Sequence, residues 1–326
     1  MVVMGGSLLS DSEMIAAADE DRLLLRLPAT SANLGPGFDT LALALTLTLQ
    51  IDAKRTPEFS LKATGRNADV CSSLRRNLLL DVYQKSLAAN GAAVVPLALD
   101  IHNEIPIGMG CGSSAAVRLA GIALANHFGK LDWSGDRILT EASLLEGHPD
   151  NAAACWLGGF TLATMEAGHV HALRIVPPAA WRVLLVIPEK PLATTAARSV
   201  LPQTYCREDA VFNIQRASLL TAAFASGRGD LLQAAMQDRM HQPFRGEICP
   251  LLPLLSDLAG KDGILGVALS GAGPSVLMLI DENCSMTEVK SKVVERIGEA
   301  LPVELIECGI EASQVSARTA IPASRD

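Results

Sequence analysis

Alternating leucines mark the clearest strand in the chain. Between residues 41 and 50, leucine occupies every second position from Leu41 to Leu49, and Thr46, Thr48 and Gln50 lie among the residues between them. A period of two residues places one side-chain face in the core, so this pattern predicts a β-strand. Shorter apolar runs predict further strands at residues 23–27, 59–63, 97–102, 160–165, 172–176 and 183–187.

Helical patterns lie between these strands and dominate the chain after Pro188. A helix is predicted over residues 75–89, ending at Asn90-Gly91, and an alanine-rich helix begins at Ser113 or Ser114. Further helices are predicted at residues 136–145, 209–225, 230–240 and 251–258. The chain then reads as strand 264–269, turn 270–274, strand 275–280, helix 286–300 and strand 303–307, which is typical of the β-rich half of a ferredoxin-like sandwich.

The change of pattern near Pro188 divides the chain into domains. Its 326 residues exceed what one hydrophobic core usually organises. We therefore expect two domains, at residues 22–188 and 189–326. Residues 1–21 carry acidic Asp19, Glu20 and Asp21 but no basic segment, so a flexible extension is expected there and not a signal peptide. A membrane span needs about 20 consecutive apolar residues, and no stretch of that length suggests a membrane protein.

Composition and charge narrow the class of protein. Hydrophobic residues make up 49% of the chain and charged residues 19%, which predicts a folded globular protein. The net charge of -8 argues against a nucleic-acid partner. The seven cysteines are odd in number and show no CxxC spacing, so we expect neither a disulfide framework nor a zinc site, and we expect a reducing cytoplasm.

Candidate chemistry first appears in the segment from Pro106 to Ala116, between a predicted strand and the alanine-rich helix. Glycines at alternate positions are followed by two serines: Gly108, Gly110, Gly112, Ser113 and Ser114. Glycine lets a backbone approach a ligand closely, and the helix that follows directs its partial positive charge to the same place. The serine hydroxyls can bind phosphate oxygens or a metal. The segment therefore predicts a phosphate cradle, although it has neither the lysine of a Walker loop nor the glycine spacing of a Rossmann loop.

A cradle without lysine or arginine needs another partner for the charge of a triphosphate. Mg²⁺ held by a carboxylate and a hydroxyl would supply it. The nearby carboxylates are Glu141, Glu146 and Asp150. Spacing alone leaves open which of them binds metal, and whether all three are solvated charges at helix ends.

Three segments, in order along the chain, resemble the GHMP kinases, the family of galactokinase, homoserine kinase, mevalonate kinase and phosphomevalonate kinase. They are PATSANLGPGFD at residues 28–39, the glycine-rich segment 106–116, and LSGAGPS at residues 269–275. The first segment resembles the homoserine kinase branch, as do EGHPDN at 146–151 and HQPFR at 241–245. Ala42 departs from the pattern where glycine is expected, and Met109 and Cys111 stand where arginine or leucine is usual.

This resemblance implies an α+β fold with two domains. The first would be like domain 2 of ribosomal protein S5 and the second would be ferredoxin-like. It also implies an ATP- and Mg²⁺-dependent enzyme that phosphorylates the side-chain hydroxyl of L-homoserine in threonine biosynthesis, with ATP along the glycine loop and the substrate between the domains. Members of this branch are often homodimers, so a homodimer is expected.

Residue roles for the nucleotide follow from the resemblance. The residues that match its cofactor positions are Asn77, Pro106, Gly108, Gly110, Gly112, Ser113 and Ser114. Glu146 matches the metal-binding glutamate, with Ser114 or Ser113 as its hydroxyl partner. Asn77 matches the adenine side, but capping of the helix that follows explains it equally well.

Roles for the substrate follow in the same way. Arg198 and Arg245 match a clamp for the homoserine carboxylate, which a planar guanidinium can hold through two bonds. Asp39 matches the partner of the ammonium group, and Asn33 and Asn151 match groups near the reacting hydroxyl. A surface position is the alternative explanation for each arginine.

The catalytic candidates are Asp150, Asn151 and Asn33. Asp150 stands where the mevalonate branch has a catalytic aspartate, yet the hydroxyl proton could also pass directly to phosphate, and the sequence leaves both mechanisms open. His148 and His241 are interpreted as a structural loop residue and a helix-end residue. Three other functions stay open: a GHMP kinase for mevalonate-like or shikimate-like substrates, a catalytically inactive nucleotide-binding regulator, and a structural protein without a ligand.

Overall fold

The structure of the chain, a computed structural model, is built on two β-sheets. It describes residues 20–177, 180–299, 301–313 and 315. Residues 1–19 of the predicted N-terminal extension lie outside the described residues. The strands are β1 (Arg22–Asn33), β2 (Gly37–Arg55), β3 (Ser60–Gly65), β4 (Leu97–Asn103), β5 (Phe160–Glu166), β6 (His169–Ile175), β7 (Arg182–Pro188), β8 (Ile264–Leu269), β9 (Val276–Ile280) and β10 (Val303–Cys308).

Helices cover these sheets. They are α1 (Ala68–Cys71), α2 (Leu78–Ala89), α3 (Ser113–Gly129), α4 (Gly135–Glu146), α5 (Asp150–Leu157), α6 (Thr194–Ser199), α7 (Arg207–Ser226), α8 (Leu232–Ala235), α9 (Gln242–Arg245), α10 (Leu251–Leu255) and α11 (Met286–Ile297). Two 3₁₀ turns, Gly229–Leu231 and Ser256–Leu258, adjoin α8 and α10. Among the residues that the structure describes, no helix has the length and apolar character needed to cross a membrane.

The long strand β2 is the axis of the first sheet. β1 pairs along one of its edges, and β4 and β5 pair with different parts of the other edge. β3 and β6 complete the sheet beyond β4 and β5. The alternating leucines Leu41, Leu43 and Leu45 are buried in the core as the sequence predicted. Ala42 and Ala44 between them are buried as well, so this part of β2 is covered on both faces and not on one.

β1 runs farther than predicted. The sequence predicted a strand over residues 23–27, but pairing with β2 continues to Asn33. The register of the pairing shifts between Pro28 and Ala29. An irregularity of this kind tolerates a residue without an N–H group, so the strand continues past the proline.

The second sheet has the strand order β10-β7-β9-β8, and all its pairs are antiparallel. Every residue of β9 is buried. Its alternate side chains enter two different cores: Val276, Met278 and Ile280 pack towards α10 and α11, whereas Leu277 and Leu279 join the core of the first sheet. β9 therefore packs against both cores and connects them.

The position of β7 bears on the predicted domain boundary after residue 188. β7 hydrogen-bonds to β9 and β10 and so belongs to the second sheet. Strand pairing thus favours a domain boundary between Ile175 and Arg182. The sequence missed this because an apolar strand does not show which sheet it will join.

The predicted helix over residues 230–240 is shorter in the structure, where α8 ends at Ala235. The buried carboxylate of Asp238 accepts hydrogen bonds from the backbone N–H groups of Met240, His241 and Gln242. A side chain that binds the backbone in this way competes with helix formation. The chain therefore turns at Asp238 and restarts as α9.

After β10 the chain returns to the first sheet. Thr46 donates its N–H to the carbonyl of Gly309 at 3.0 Å, and Glu311 donates to the carbonyl of Ala44 at 3.0 Å. Ile310 bridges to Leu45. Residues 309–311 thus occupy the part of the β2 edge that lies between β5 and β4.

Candidate active site

The glycine-rich loop connects β4 to α3, and its conformation requires glycine. Gly108, Gly110 and Gly112 have φ angles of 74°, 75° and 70°. A Cβ atom on Gly112 would lie 1.8 Å from Oγ1 of Thr30, and one on Gly110 would lie 2.1 Å from the carbonyl oxygen of Ser270. The loop is therefore pressed between β1 and the turn after β8.

A cavity of about 450 Å³ lies beside this loop. Nearly all of the predicted site residues line it: Asn33, Asp39, Asn77, Gly108, Gly110, Gly112, Ser113, Ser114, Glu146, Asp150, Asn151, Arg198 and Arg245. Pro106 is buried at the start of the loop and lines a separate groove with Arg66 and Glu304. The fold thus brings together residues that are more than 200 positions apart in the sequence.

One end of the cavity is apolar. Val70, Leu78 and Ile107 line it beside Asn77. The Asn77 side chain accepts hydrogen bonds from the N–H groups of Leu79 and Leu80, so it caps α2, and this explains why the helix begins later than the predicted residue 75. Asn77 therefore has the capping role that the sequence left open, and its place in the cavity keeps the adenine role as a prediction.

Ser114 and Glu146 meet at the start of α3. The Ser114 hydroxyl donates a hydrogen bond to Oε1 of Glu146 at 2.8 Å. Hydroxyl and carboxylate oxygens are hard donors of the kind that Mg²⁺ prefers, so this pair fits the implied metal. Glu141, the alternative, lies on α4 with a side chain that is 39% exposed and is paired with Arg137. The exposed and paired position of Glu141 therefore favours Glu146 as the metal ligand.

Sequence reasoning missed Arg118. Its Nη1 atom donates to Oγ of Ser114 at 2.7 Å and also contacts Oε1 of Glu146. The available signal was spacing, because Arg118 follows Ser114 by four positions on α3 and such residues are neighbours on a helix surface. Burial lowers the pKa of Arg118.

A second group of potential ligands consists of Asp39, His148 and Asp150, whose ligand atoms lie within 4.8 Å of one another. This set includes an imidazole, and Asp39 is already bound by Arg198 through both carboxylate oxygens. The oxygen pair of Ser114 and Glu146 therefore fits Mg²⁺ better.

Asp150 is held by its neighbours at the first turn of α5, and only 1% of its surface is exposed. Its Oδ1 atom lies 2.6 Å from Nδ1 of His148 and accepts from the backbone N–H of Asn151 at 2.6 Å. Thr30 donates to Oδ1 of Asn151 at 2.7 Å, which links this cluster to β1. Burial opposes a charge on His148, but the hydrogen bond and charge of Asp150 outweigh it and raise the pKa of His148.

Asp39 and Arg198 face each other across the other end of the cavity. The guanidinium donates to both carboxylate oxygens, at 2.6 and 3.0 Å. Asp39 lies in the left-handed region with a φ angle of 54°, and its N–H donates to Oδ1 of Asn33. Asn33 in turn donates to the carbonyl of Gly271 at 2.8 Å. The β1–β2 turn therefore presents the carboxylate from a fixed position.

Arg245 is buried, with 1% of its surface exposed. Within the described part of the chain its hydrogen-bond acceptors are neutral: the carbonyls of Ala197 and Gly271 and Nδ1 of His241. His241 stands directly before α9 as a helix-end residue, but its side chain does not cap the helix, and its Nε2 lies 2.7 Å from the carbonyl of Gly35. Burial lowers the pKa of Arg245, and the nearby Arg198 adds to this effect. A buried cation whose hydrogen-bond acceptors are neutral is a natural site for an anionic ligand.

Phe38 lies close to both arginines, and sequence reasoning missed this residue too. The Arg198 guanidinium carbon is 5.3 Å from the centre of its ring and that of Arg245 is 5.4 Å away. An aromatic face attracts cations at such distances. Phe38 therefore helps to hold two like charges at one end of the cavity.

Comparisons with known proteins agree with this arrangement. Residues 77–159 match the GHMP kinases N terminal domain and residues 220–298 match the GHMP kinases C terminal domain. The chain is 41% identical to the homoserine kinase of Solibacter usitatus over 295 residues, covering 89% of this chain and 97% of that protein. It is 39% identical to the homoserine kinase of Deinococcus radiodurans, covering 80% of this chain and 85% of that protein.

Solved structures share the fold. The homoserine kinase of Cytophaga hutchinsonii superposes with a TM-score of 0.76 at 21% identity, covering 93% of this chain and 99% of that one. The mevalonate kinase of L. major superposes with a TM-score of 0.66 at 14% identity, covering 92% and 100%. The predicted two-domain α+β fold is confirmed, and the chain belongs to the homoserine kinases of the GHMP kinase family.

Proposed function

We propose that this protein transfers the terminal phosphoryl group of ATP to the side-chain hydroxyl of L-homoserine, giving ADP and O-phospho-L-homoserine, a step towards threonine. One observation carries the proposal. A single cavity is lined by the glycine loop and also by Asp39, Arg198 and Arg245. A phosphate cradle and charges complementary to an amino acid therefore share one space.

The positions of the charges, rather than their sum, support an amino-acid substrate. Asp39 and Arg198 neutralise each other, and Arg245 carries a positive charge without an acidic partner among its hydrogen-bond acceptors. A zwitterion would bring an ammonium group for Asp39 and a carboxylate for the two arginines. Mevalonate and shikimate have no ammonium group, so Asp39 would gain no new partner from them.

Phosphoryl transfer depends mainly on positioning and on neutralisation of phosphate charge. The glycine loop and the N-terminus of α3 offer backbone N–H groups to phosphate oxygens. Ser114 and Glu146 would hold Mg²⁺, which neutralises charge on the phosphates when bound. Asn33 and Asn151 would position the reacting hydroxyl.

The role of Asp150 can be tested through the pH dependence of turnover. As a general base it would accept the hydroxyl proton, and Asp150→Asn would remove the acidic limb of the kcat profile. If the proton passes directly to phosphate, the limb stays and only the rate falls, because Asp150 also orients Asn151.

The substrate is tested by ADP release in the presence of L-homoserine, L-serine, L-threonine, mevalonate, shikimate and galactose. We expect turnover with homoserine and little with serine, which is one methylene shorter. A hydroxyl misplaced by about 1 Å can already cost about 100-fold in rate. Comparable rates on mevalonate would overturn the assignment, and ATP binding without turnover on any alcohol would favour an inactive regulator.

Three further properties stay predictions: a cytoplasmic location, a homodimer, and the lack of a nucleic-acid partner. Cell fractionation, sedimentation velocity and a nucleic-acid binding assay would test them in turn.

A further inference from the structure

The carboxylate of Glu146 and the hydroxyl of Ser114, which would bind Mg²⁺, are already in contact with the positively charged side chain of Arg118. Nη1 of Arg118 donates to Oγ of Ser114 at 2.7 Å and contacts Oε1 of Glu146, the same oxygen that accepts the Ser114 hydroxyl. The ion pair is largely buried, since the Arg118 side chain is 24% exposed and that of Glu146 is 9% exposed. His148 is the other basic group near Glu146, with Nε2 at 3.9 Å from Oε2. Arg118 is thus the closer of these two partners.

Arg118 and a divalent cation would compete for the same oxygens. Mg²⁺ requires oxygen lone pairs at about 2.0–2.1 Å. An arginine N–H uses a lone pair of each oxygen that it contacts, and its charge repels a second cation. A free metal ion therefore has to displace Arg118 from Glu146 before it can bind well.

A bound nucleotide would change the competition between Arg118 and the metal ion. The glycine loop between Ile105 and Ser113 contains no lysine or arginine, and Arg118 stands one helical turn beyond Ser113 and Ser114 on α3. A guanidinium released from Glu146 would find a new partner in the phosphates of ADP or ATP, because its planar fork matches phosphate oxygens.

We propose that Arg118 is a stand-in cation that occupies the metal ligands Ser114 and Glu146 until metal and nucleotide arrive together. It keeps the two oxygens paired in the absence of metal, weakens the binding of free metal, and couples metal binding to nucleotide binding. Arg118 is a positioning residue in this scheme. The inference rests on the proposed kinase function only for the identity of the metal ligands.

The test is direct binding of Mn²⁺, followed by electron paramagnetic resonance, to the full chain with and without ADP. No alcohol substrate is present and no turnover occurs. Arg118→Met removes the charge but keeps much of the length. We expect it to bind Mn²⁺ about 5-fold or more tightly than wild type without ADP, which is the lower range of ordinary coupling between sites. With ADP, the affinity of Arg118→Met for Mn²⁺ should equal or fall below that of wild type.

Two variants control for damage to the fold. Arg26→Met removes another arginine–glutamate contact, with Glu311 at 2.7 Å, from residues outside the cavity, and should leave both Mn²⁺ affinities unchanged. Arg118→Lys keeps the charge and should stay near wild type without ADP. A variant that is merely destabilised would lose affinity in both states, so a gain of Mn²⁺ affinity that is seen only without ADP separates competition from damage.

Equal or weaker Mn²⁺ binding by Arg118→Met without ADP would overturn the proposal, as would a wild-type affinity that ADP does not change. Glu146→Gln identifies the site. If that variant leaves Mn²⁺ binding intact, the metal assignment fails and the stand-in role fails with it. If Arg118→Met differs from wild type as expected, but the wild-type protein does not phosphorylate homoserine, only the substrate is refuted.

Discussion

Replacing Asp39 by asparagine separates a structural role from a substrate-binding role. Arg198 binds both oxygens of Asp39, but the two side chains are 37% and 32% exposed. An ion pair with this exposure contributes about 0–1 kcal/mol to folding. We therefore expect Asp39→Asn to lower the free energy of unfolding by at most about 1 kcal/mol, which shifts Tm by roughly 1–2 °C in a chain of this length.

Substrate binding should change far more. Truncating one partner of a charge pair that is desolvated in a complex costs about 2–5 kcal/mol. Because Asp39 is partly exposed, we take the lower end, about 2 kcal/mol, which corresponds to a rise of about 30-fold in the KM for homoserine. The KM for ATP should stay near wild type, since Asp39 contacts Arg198 and Asn33 and makes no hydrogen bond to the glycine loop.

Two comparisons make this assay specific. Asp52 accepts two hydrogen bonds from Arg22, at 2.8 and 2.7 Å, with side chains that are 25% and 34% exposed, and it does not line the cavity. Asp52→Asn should therefore match the small loss of stability without affecting either KM. With 4-hydroxybutyrate, which lacks the ammonium group, the penalty of Asp39→Asn should disappear.

The ammonium role is refuted if Asp39→Asn lowers Tm while the KM for homoserine stays at the wild-type value. In that case Asp39 stabilises the turn after β1, and the strongest argument for an amino-acid substrate is lost.

Three further predictions concern the metal ligand Glu146, the glycine loop at Gly112, and the ion pair of Arg66 and Glu304, which joins the first sheet to the second. Glu146→Gln should lower kcat and weaken the Mg²⁺ dependence of turnover; an unchanged Mg²⁺ titration would move the ligand role to another carboxylate. Gly112→Ala places a methyl group against Thr30 at a positive φ, and should cost about 1–3 kcal/mol in chemical denaturation and weaken ATP binding; wild-type behaviour in both assays would contradict the steric argument. The contact with Arg66 lowers the pKa of Glu304, so its stabilisation is present above the unfolded pKa, about 4.3, and is lost as pH falls through the lower folded value. The Tm difference between wild type and Glu304→Gln should therefore close in acid, and a difference that persists at low pH would count against this contact.

Much of the fold was predictable because its signals are local. The leucine alternation of β2 depends only on neighbouring positions, and so does the start of α3 directly after Gly112. The order of strands β8 and β9, helix α11 and strand β10 at the end of the chain was likewise predicted from periodicity and turn residues.

What the sequence could not show depends on partners far along the chain. The turn at Asp238, which shortened a predicted helix, is completed by the side chain of Asn213, 25 residues away. The pairing of Asp39 with Arg198 joins residues 159 positions apart. Charge and residue type suggested what each side chain could bind, but only the folded chain shows that Asp39 and Arg198 bind each other.

The strand-like segment at residues 309–311 has a consequence for how the protein is made. Its Gly309 and Thr46 are 263 positions apart and form contacts on the edge of β2. A ribosome adds about 5–20 residues per second, so roughly 10–50 s separate the synthesis of these two partners. During that interval the nascent first sheet has an open edge between β5 and β4, where another strand could pair. The sheet that carries the glycine loop can thus be finished only after residues 309–311 have been synthesised, and truncation before Gly309 should yield a chain that aggregates rather than a separate nucleotide-binding domain.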